Sequence, residues 1–418
     1  MRHRRWGIAA VCAGAVLLAG SVAVREVAAP ALVRFPLNVD EQTHYTGTAS
    51  TFVDQATLLP LAHPKREPLE ITRHVRVLSG SFSRAVIEEA VTVKTPSTTD
   101  VQKYQYVIDR RSMKMVADPR QYAFGDPKAV MHAAPGTYRV NFAMGTSLEG
   151  SYRAFIPEED ASSQLMPVEG PHRHPDVSAT VIDFASHRDG PVAPYFLAHL
   201  KALGLPMQVT AAQLEPLLRA NGIDVNRALS DVGPRLTPAE SRLVSTTLTK
   251  PVPLRYIFLS NGIVSIEPKT GALLDVHTKE QGIAVQPDLR GASGLQPLLR
   301  KYSAIPSVKA LSDGLAKLAA RPPQVAQRLT YTQTVPSSQA AADTAQDHAA
   351  TMNLIEVRVP LLLALLGLIL LGIGVFELRR GRGARQSHPY PSGDPSSGTS
   401  EAESTPAPAA PARTYEGV

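Results

Sequence analysis

Cysteine is almost absent from this sequence, since Cys12 is the one cysteine in 418 residues. It lies in an apolar run near the N-terminus, where we expect it to act as a small apolar side chain. One cysteine cannot form an internal disulfide, and the rest of the chain has no thiol to serve as a nucleophile or zinc ligand. Thiol chemistry and cysteine-based zinc sites are therefore excluded outside that run.

Recognisable catalytic motifs are also missing. The sequence has no GxSxG nucleophile elbow, no Walker-type phosphate loop, no GxGxxG after a strand and no HExxH pair. We therefore expect no catalytic residue, no cofactor and no metal site, and we expect the protein not to be an enzyme. An enzyme with an unrecognised site remains the third hypothesis.

Charge is sparse and unevenly placed, with 19% charged residues and a net charge of +6. Residues 25–358 contain 35 Lys/Arg against 32 Asp/Glu, which is close to balance. A nucleic-acid-binding body would show a basic face or stripe, so nucleic acid is not an expected partner. The basic ends of the chain instead resemble the topology signals of membrane proteins.

The longest apolar run is Val359 to Phe376, which has 18 residues and no charge. At 1.5 Å per residue it spans about 27 Å, close to the hydrocarbon core of a bilayer. Four arginines follow it, and Pro360 falls in the first turn, where its missing N–H costs little. We predict a transmembrane helix over 359–378, because a buried helix of a soluble protein keeps a polar stripe.

A second apolar run, Trp6 to Val24, follows the basic residues 1–5. Its length favours an uncleaved membrane anchor over 6–24, and a cleaved signal peptide is the alternative. Ala10/Gly14 and Ala15/Ala19 are small-xxx-small pairs that allow close helix packing, and Gly367, Gly372 and Gly374 on the later span are the expected partners. The alternative is that small residues are merely tolerated in lipid.

Positive flanks at both ends predict a two-pass plasma-membrane protein with both termini cytoplasmic. Residues 27–335 then form an extracytoplasmic domain, 338–358 a stalk helix, and 379–418 a disordered tail rich in Pro, Ser and Ala.

Short alternating segments predict that the extracytoplasmic domain is β-rich. We expect strands at 44–54, 70–78, 84–93, 103–109, 136–143, 179–185, 254–260, 263–266, 272–276 and 328–334. This pattern predicts an α+β fold whose β-rich part is an antiparallel sheet or a sandwich. Asn261-Gly262 is predicted to be a hairpin turn. Residues 107–116 and 265–274 resemble each other, which indicates either a duplicated unit or two turns of similar composition.

A helical insertion is predicted over 193–250. Capping boxes at Thr210 to Gln213 and Thr237 to Glu240 each mark a helix start, and Gly222 is suited to end the first helix. Further short helices are expected at 295–301 and 307–320.

Three groups of residues have the composition of a site, and each has a simpler interpretation. His172, His174 and Asp176, with His187 and Asp189 nearby, include metal-ligand types but are expected in an exposed loop. Residues 158–160, Glu-Glu-Asp, are expected in a solvated turn without calcium-loop spacing. The pairs Tyr104/Tyr106 and Tyr256/Phe258 alternate along strands, so they are expected to form a core-facing row rather than a ligand platform.

The order of these elements resembles an actinobacterial membrane-protein family of unknown function that is filed as the porin PorA family. The resemblance covers roughly residues 4–382 and is carried by four segments in order: YVIDRRSM, MGTSLEGSYRAF, RYIFLSNGIVSIEPKTGALLDV and PLLLALLGLILLGIGVFELRR. It implies two membrane segments around a β-rich domain of a cell-envelope protein, and it carries over no catalytic residue.

The porin label disagrees with the apolar pattern, because outer-membrane barrels span with short alternating strands and have no long apolar helix. The leading hypothesis is a non-enzymatic, membrane-anchored envelope protein whose domain binds another envelope protein, a lipid or a glycan. The alternative is a channel-forming or transport-associated protein. The sequence leaves the oligomeric state open.

Overall fold

The alternating segments of the central domain form one curved antiparallel sheet in the computed structural model, which describes residues 2–29, 33–54, 59–132 and 135–383. The sheet is a half-barrel, so the antiparallel sheet expected from the sequence is confirmed, and its strands pair in one sheet rather than two stacked ones. The strands of the described ranges are β1 (Asp40–Val53), β2 (Pro60–Gly80), β3 (Arg84–Lys94), β4 (Thr99–Asp109), β5 (Tyr122–Ala123), β6 (Tyr152–Ile156), β7 (Ala161–Arg173), β8 (Thr180–Pro191), β9 (Gln208–Val209), β10 (Val252–Ile266), β11 (Leu273–Pro287) and β12 (Gln324–Gln333).

The strand order across the half-barrel is β5-β4-β3-β2-β1-β12-β11-β10-β8-β7-β6, with β9 attached to β10. The first strand therefore pairs with the last, and Tyr45 of β1 lies opposite both Ile71 of β2 and Gln333 of β12. Because side chains alternate across a strand, Ile182 and Phe184 of β8 join one apolar cluster, while the neighbouring Val181 faces the other side of the sheet and joins a second.

Two strand predictions are wrong. Residues 136–143 are irregular apart from an isolated parallel bridge between Tyr138 and Ala154, whereas β6 and β7 were not predicted. Asn261 and Gly262 do not form a turn, since β10 runs through them with a register shift at this pair. A Cβ at Gly262 would come within 2.9 Å of the His277 carbonyl oxygen, so glycine permits the close approach of β11.

The hairpin between β10 and β11 turns at residues 267–272, where Gly271 has φ of +73°. Here the Glu267 carboxylate accepts hydrogen bonds from the Thr270 backbone N–H (2.7 Å) and hydroxyl (2.5 Å). After β4, the Asp109 carboxylate accepts from the Ser112 backbone N–H (2.7 Å) and hydroxyl (2.8 Å). The two similar sequences thus share one local turn chemistry, and duplication of a larger unit stays a prediction.

Helices lie before the first strand, after the last strand and in two groups between strands. Those of the described residues are α1 (Arg2–Ala23), α2 (Pro194–Ala202), α3 (Ala211–Ala220), α4 (Val225–Val232), α5 (Pro238–Thr249), α6 (Gln296–Lys301), α7 (Pro306–Ala320), α8 (Val335–Asn353) and α9 (Val359–Gly383). Five-residue π-helical turns at Val24–Ala28 and Leu354–Arg358 extend α1 and join α8 to α9.

The predicted helix starts in the insertion are confirmed. Thr210 caps α3 and Thr237 caps α5, and each forms a reciprocal capping box with the Gln or Glu three residues later. Each box satisfies N–H groups that a first helical turn leaves without intrahelical partners. Helix α4 was not predicted, and it begins at an Asp224 cap that accepts a hydrogen bond from the Arg227 N–H at 2.9 Å.

Two apolar clusters fill the hollow side of the half-barrel. One packs β3, β4, β6 and β8 against residues 110–132 and 135–151, the irregular segment apart from β5, with Tyr106 and Phe184 fully buried. The other packs α2 and α3 against β10 and β11, with Leu200 and Leu214 at its centre. The helical insertion thus covers part of the concave face and supplies its apolar contacts.

Helix α8 packs against the domain. Its Ala342 and Ala345 are buried against Val177, Val181 and Leu274. The side-chain amide of Gln346 donates to the Ser178 carbonyl at 2.8 Å, which fixes this contact. Small side chains on α8 allow the close approach of the helix to the strands.

The chain divides into two compact units, Ala23–Pro360 and the two terminal segments Met1–Val22 with Leu361–Val418. Two helical stretches, Ile8–Ala28 and one within Val335–Arg380, are long and apolar enough to cross a membrane. Of the tail predicted to be disordered, residues 384–418 lie outside the described residues.

Within the terminal unit, α1 and α9 pack with their glycines in contact. A Cβ on Gly14 would lie 2.6 Å from the Gly367 carbonyl oxygen, and one on Gly367 would lie 2.9 Å from the Gly14 carbonyl oxygen. Gly14 also faces Leu371, and Gly367 also faces Leu18, so the two helices run antiparallel. The expected contact between the small residues of the two spans is confirmed for Gly14 and Gly367.

Replacing Gly14 with Leu should separate α1 from α9, because even a Cβ at Gly14 would lie 2.6 Å from the Gly367 carbonyl oxygen. The thermal unfolding midpoint of the detergent-purified full-length protein, followed by circular dichroism, should fall. The matched control is Gly20→Leu, whose Cβ position has nothing within 4 Å and which should leave the midpoint nearly unchanged. Equal effects of the two substitutions, or loss of the first span from the mature chain, would contradict this packing.

Candidate ligand-binding cavity

A cavity of about 240 Å³ lies on the concave face of the sheet. Strands from both halves of the half-barrel line it, from Gln102 on β4 to Ser186 on β8. Clefts lined mainly by apolar side chains with a few convergent polar groups are the usual form of a ligand site. The cavity has this composition, because apolar side chains surround one compact group of charges.

The apolar part of the lining comes from the middle of the sheet. Ile71, Val91 and Leu329 lie beside the buried ring of Tyr45, which packs edge-on against Tyr331 with ring centroids 5.6 Å apart. These side chains share one face of β1, β2, β3 and β12, so the pairing of the first and last strands builds this wall.

The charged part is a group of two arginines around one carboxylate. Arg73 Nε donates to Glu89 Oε1 at 2.6 Å, Arg139 Nε donates to Glu89 Oε2 at 2.9 Å, and Arg139 Nη2 donates to Oε1 at 3.1 Å. The Glu89 side chain exposes no surface, whereas those of Arg73 and Arg139 keep 15% and 24% exposure. All three residues line the cavity, and only the two guanidiniums keep solvent exposure.

Strand alternation places two of these three charges on the inner face. Arg73 lies in phase with buried Ile71 and Val75 on β2, and Glu89 lies in phase with buried Ile87 on β3. Arg139 comes from the irregular segment, where Tyr138 is held to β6 by backbone hydrogen bonds to Arg153 and Phe155, both 2.8 Å. The period-two pattern thus carried the signal for Arg73 and Glu89, but nothing in the sequence marked Arg139.

The arginines keep Glu89 ionised. Burial alone would raise the pKa of the Glu89 carboxyl, but the charges of Arg139 and Arg73 and their hydrogen bonds lower it to about 2. Burial opposes the charged form of Arg139 as well, and the charge of Glu89 more than offsets this, so the pKa of Arg139 is raised. The group therefore holds two positive charges and one fixed negative charge at neutral pH.

The acidic residues 158–160 are not a solvated turn, which corrects the sequence-based expectation. Glu158 and Glu159 are buried, and Asp160 has φ of +50°. Glu158 lines the cavity, and its burial raises the pKa of its carboxyl against the opposing charge of Arg139. Glu159 pairs with Arg188 at 2.5 Å, so the three acids point to different neighbours.

The alternating aromatic residues are core-facing, as predicted. Tyr104, Tyr106, Tyr256 and Phe258 are all buried. Tyr104 and Tyr106 lie with ring centroids 6.2 Å apart, and Phe258 also lines the cavity.

The structure regroups the predicted histidine cluster. His174 is buried, with Nε2 3.5 Å from Asp275 Oδ2, so it does not lie in an exposed loop. His172 ends β7 beside Glu169 and Asp183, and one ligand atom of each lies within 4.8 Å of the others. Strand pairing brings these three together.

A cation could be held by this group of three residues. His172 Nδ1 lies 3.0 Å from the Gly170 carbonyl oxygen, which leaves Nε2 toward Asp183 Oδ2 at 3.8 Å. Glu169 keeps 63% side-chain exposure, so the third ligand is solvated. His187 and Asp189, both exposed on β8, do not join this group.

The described residues combine an antiparallel half-barrel that holds a charge-lined cavity with two helical stretches apolar enough to cross a membrane, which suggests a membrane protein. The family model described as Porin PorA matches residues 6–163, which confirms the resemblance to the porin PorA family over that stretch. The matched part runs from the first apolar helix into β7 and holds Arg73, Glu89 and Arg139. No curated protein matches the chain.

Replacing Glu89 with Gln should destabilise the half-barrel by about 3–5 kcal/mol, because it leaves two buried guanidiniums without a counter-charge. Urea unfolding of the full-length protein in detergent, followed by circular dichroism, measures the loss.

The matched control is Glu88→Gln, the neighbouring acid on the opposite face of β3. Its pair with Arg76 is partly solvated, so the change should cost less than about 1 kcal/mol. Equal effects of the two substitutions would show that the buried group is not a structural centre.

Proposed function

We propose that this chain is a non-enzymatic, membrane-anchored binding protein of the cell envelope, whose half-barrel holds an apolar molecule in the cavity. The observation that carries the proposal is the cavity itself, a half-open space between strands of both sheet halves that is lined by apolar side chains around one charged group. Sites of this composition bind small molecules rather than extended protein surfaces.

The anchoring of the domain supports an envelope ligand. Both ends of the domain sequence continue into an apolar helix, and the basic flanks favour cytoplasmic termini with residues 27–335 outside. A cavity protein tethered in this way meets molecules of the membrane and its surface at high local concentration. A lipid or another apolar envelope molecule is therefore favoured over a glycan as the ligand.

Cavity filling tests this proposal. Val276 on β11 lines the cavity and His277 points to the opposite, exposed face, so Val276→Trp should block binding while His277→Trp should not. Native mass spectrometry of the detergent-purified full-length protein should show a retained small molecule in the wild type and in His277→Trp. Val276→Trp should lose it.

Circular dichroism of both variants controls for overpacking, which costs about 1–3 kcal/mol in a filled core. The proposal fails if the wild-type protein carries no added mass and shows no saturable binding of octan-1-ol or octanoate.

The second candidate is a channel, which the match to the Porin PorA family favours. Each chain contributes two apolar helices, and residues 6–24 and 359–376 carry no charged side chain, so a polar path would need an oligomer.

Planar-bilayer conductance of the full-length protein tests this alternative, with Leu365→Arg and Leu368→Arg together as the comparison variant. Both leucines are exposed on α9, so the charges would lie on the helix surface. If the helices form a pore, stepwise openings should appear and the variant should change them. On the binding-protein proposal, the verified inserted protein should be silent.

A further inference from the structure

The guanidiniums are the solvent-accessible part of the charged group that lines the cavity. Glu89 exposes no side-chain surface, while Arg73 and Arg139 keep 15% and 24% of theirs exposed. Each guanidinium carries five N–H donors, and Glu89 engages one nitrogen of Arg73 and two of Arg139. Donors therefore remain at the cavity wall beyond those that the carboxylate uses.

Four further titratable groups line the cavity: Tyr45, Tyr138, Tyr331 and Glu158. Burial raises the pKa of all three tyrosines, which keeps their hydroxyls neutral. Burial also raises the pKa of the Glu158 carboxyl, while the charge of Arg139 lowers it. The accessible guanidinium donors, rather than a net charge, are therefore the feature that favours an anionic ligand.

The apolar wall and the two guanidiniums are adjacent within the same cavity. Arg73 follows Ile71 on the inner face of β2, and Glu89 precedes Val91 on the inner face of β3. A volume of about 240 Å³ holds roughly eight water-sized groups, at about 30 Å³ each. This suits a compact anionic head with a short apolar chain, or the head and first part of a longer chain.

We propose that the cavity binds an anionic amphiphile, with its carboxylate or phosphate head on Arg73 and Arg139 and its apolar chain along the wall of Ile71, Val91 and Leu329. This inference rests on the proposed function and adds the chemical class of the ligand. Glu89 acts as a positioning residue that holds the two guanidiniums together, and a planar guanidinium fork suits bidentate binding of such a head.

Isothermal titration of the full-length protein in phosphatidylcholine nanodiscs tests this inference, with empty nanodiscs as the blank. The probes are octanoate, octan-1-ol and acetate, which separate the charged head from the apolar chain. Octanoate should bind at least tenfold more tightly than octan-1-ol, and acetate should bind more weakly than octanoate because it lacks the chain.

Two variants of Arg139 test whether this guanidinium causes the preference for octanoate over octan-1-ol. Arg139→Gln should lower octanoate affinity at least tenfold and leave octan-1-ol affinity unchanged, and Arg139→Lys should restore part of the loss. Arg76→Gln, on the exposed face of β2, should change neither.

The possible outcomes distinguish failure of the anionic-amphiphile proposal from failure of the proposed binding function. Equal affinity for octanoate and octan-1-ol overturns the anionic head while the cavity remains a binding site. Acetate binding as tight as octanoate binding overturns the amphiphile and indicates a site for a free anion. If neither eight-carbon probe binds, the proposed function itself fails. The wild-type comparison of probes stands even if a variant misfolds.

Discussion

The concave face depends on the ion pairs that the buried Glu89 carboxylate forms with Arg73 and Arg139. The carboxylate joins β3 to β2 through Arg73 and joins both strands to the irregular segment through Arg139. Removing two guanidiniums and a carboxylate from water is costly, and only close, multiple hydrogen bonds offset that cost. The position of the irregular segment over the sheet is therefore fixed by charge as well as by apolar packing, and the cavity lies where those two kinds of contact meet.

The presence of this charged group inside the domain also bears on the function of the protein. A core of apolar side chains at this place would pack without a void and without desolvated charge, and it would be at least as stable. The domain instead keeps a cavity, two partly buried arginines and a buried glutamate with a raised pKa side by side. Departures from local consistency of this kind concentrate at functional sites, which supports a ligand over a purely structural role.

Alternation and capping allowed much of the fold to be predicted. They placed Tyr104 and Tyr106 in the core, and the helix starts at Thr210 and Thr237 followed from capping boxes. They failed where long-range contacts decide the structure. Gly262 lies within a strand because β11 approaches it closely, and Arg139 reaches Glu89 from a segment without period. Strand alternation turns one of the two adjacent glutamates of β3 inward, but it carries no information that Arg139 would meet it.

The sheet ends in two very short strands, the two residues of β5 and the five of β6. A sheet that stops before closing into a barrel leaves two rows of backbone groups that can recruit another chain. Here β6 is shielded by its parallel bridge to Tyr138, and β5 is too brief to template a new strand. The half-barrel can thus stay open without polymerising, and association with another chain would proceed through side-chain surfaces rather than by strand addition.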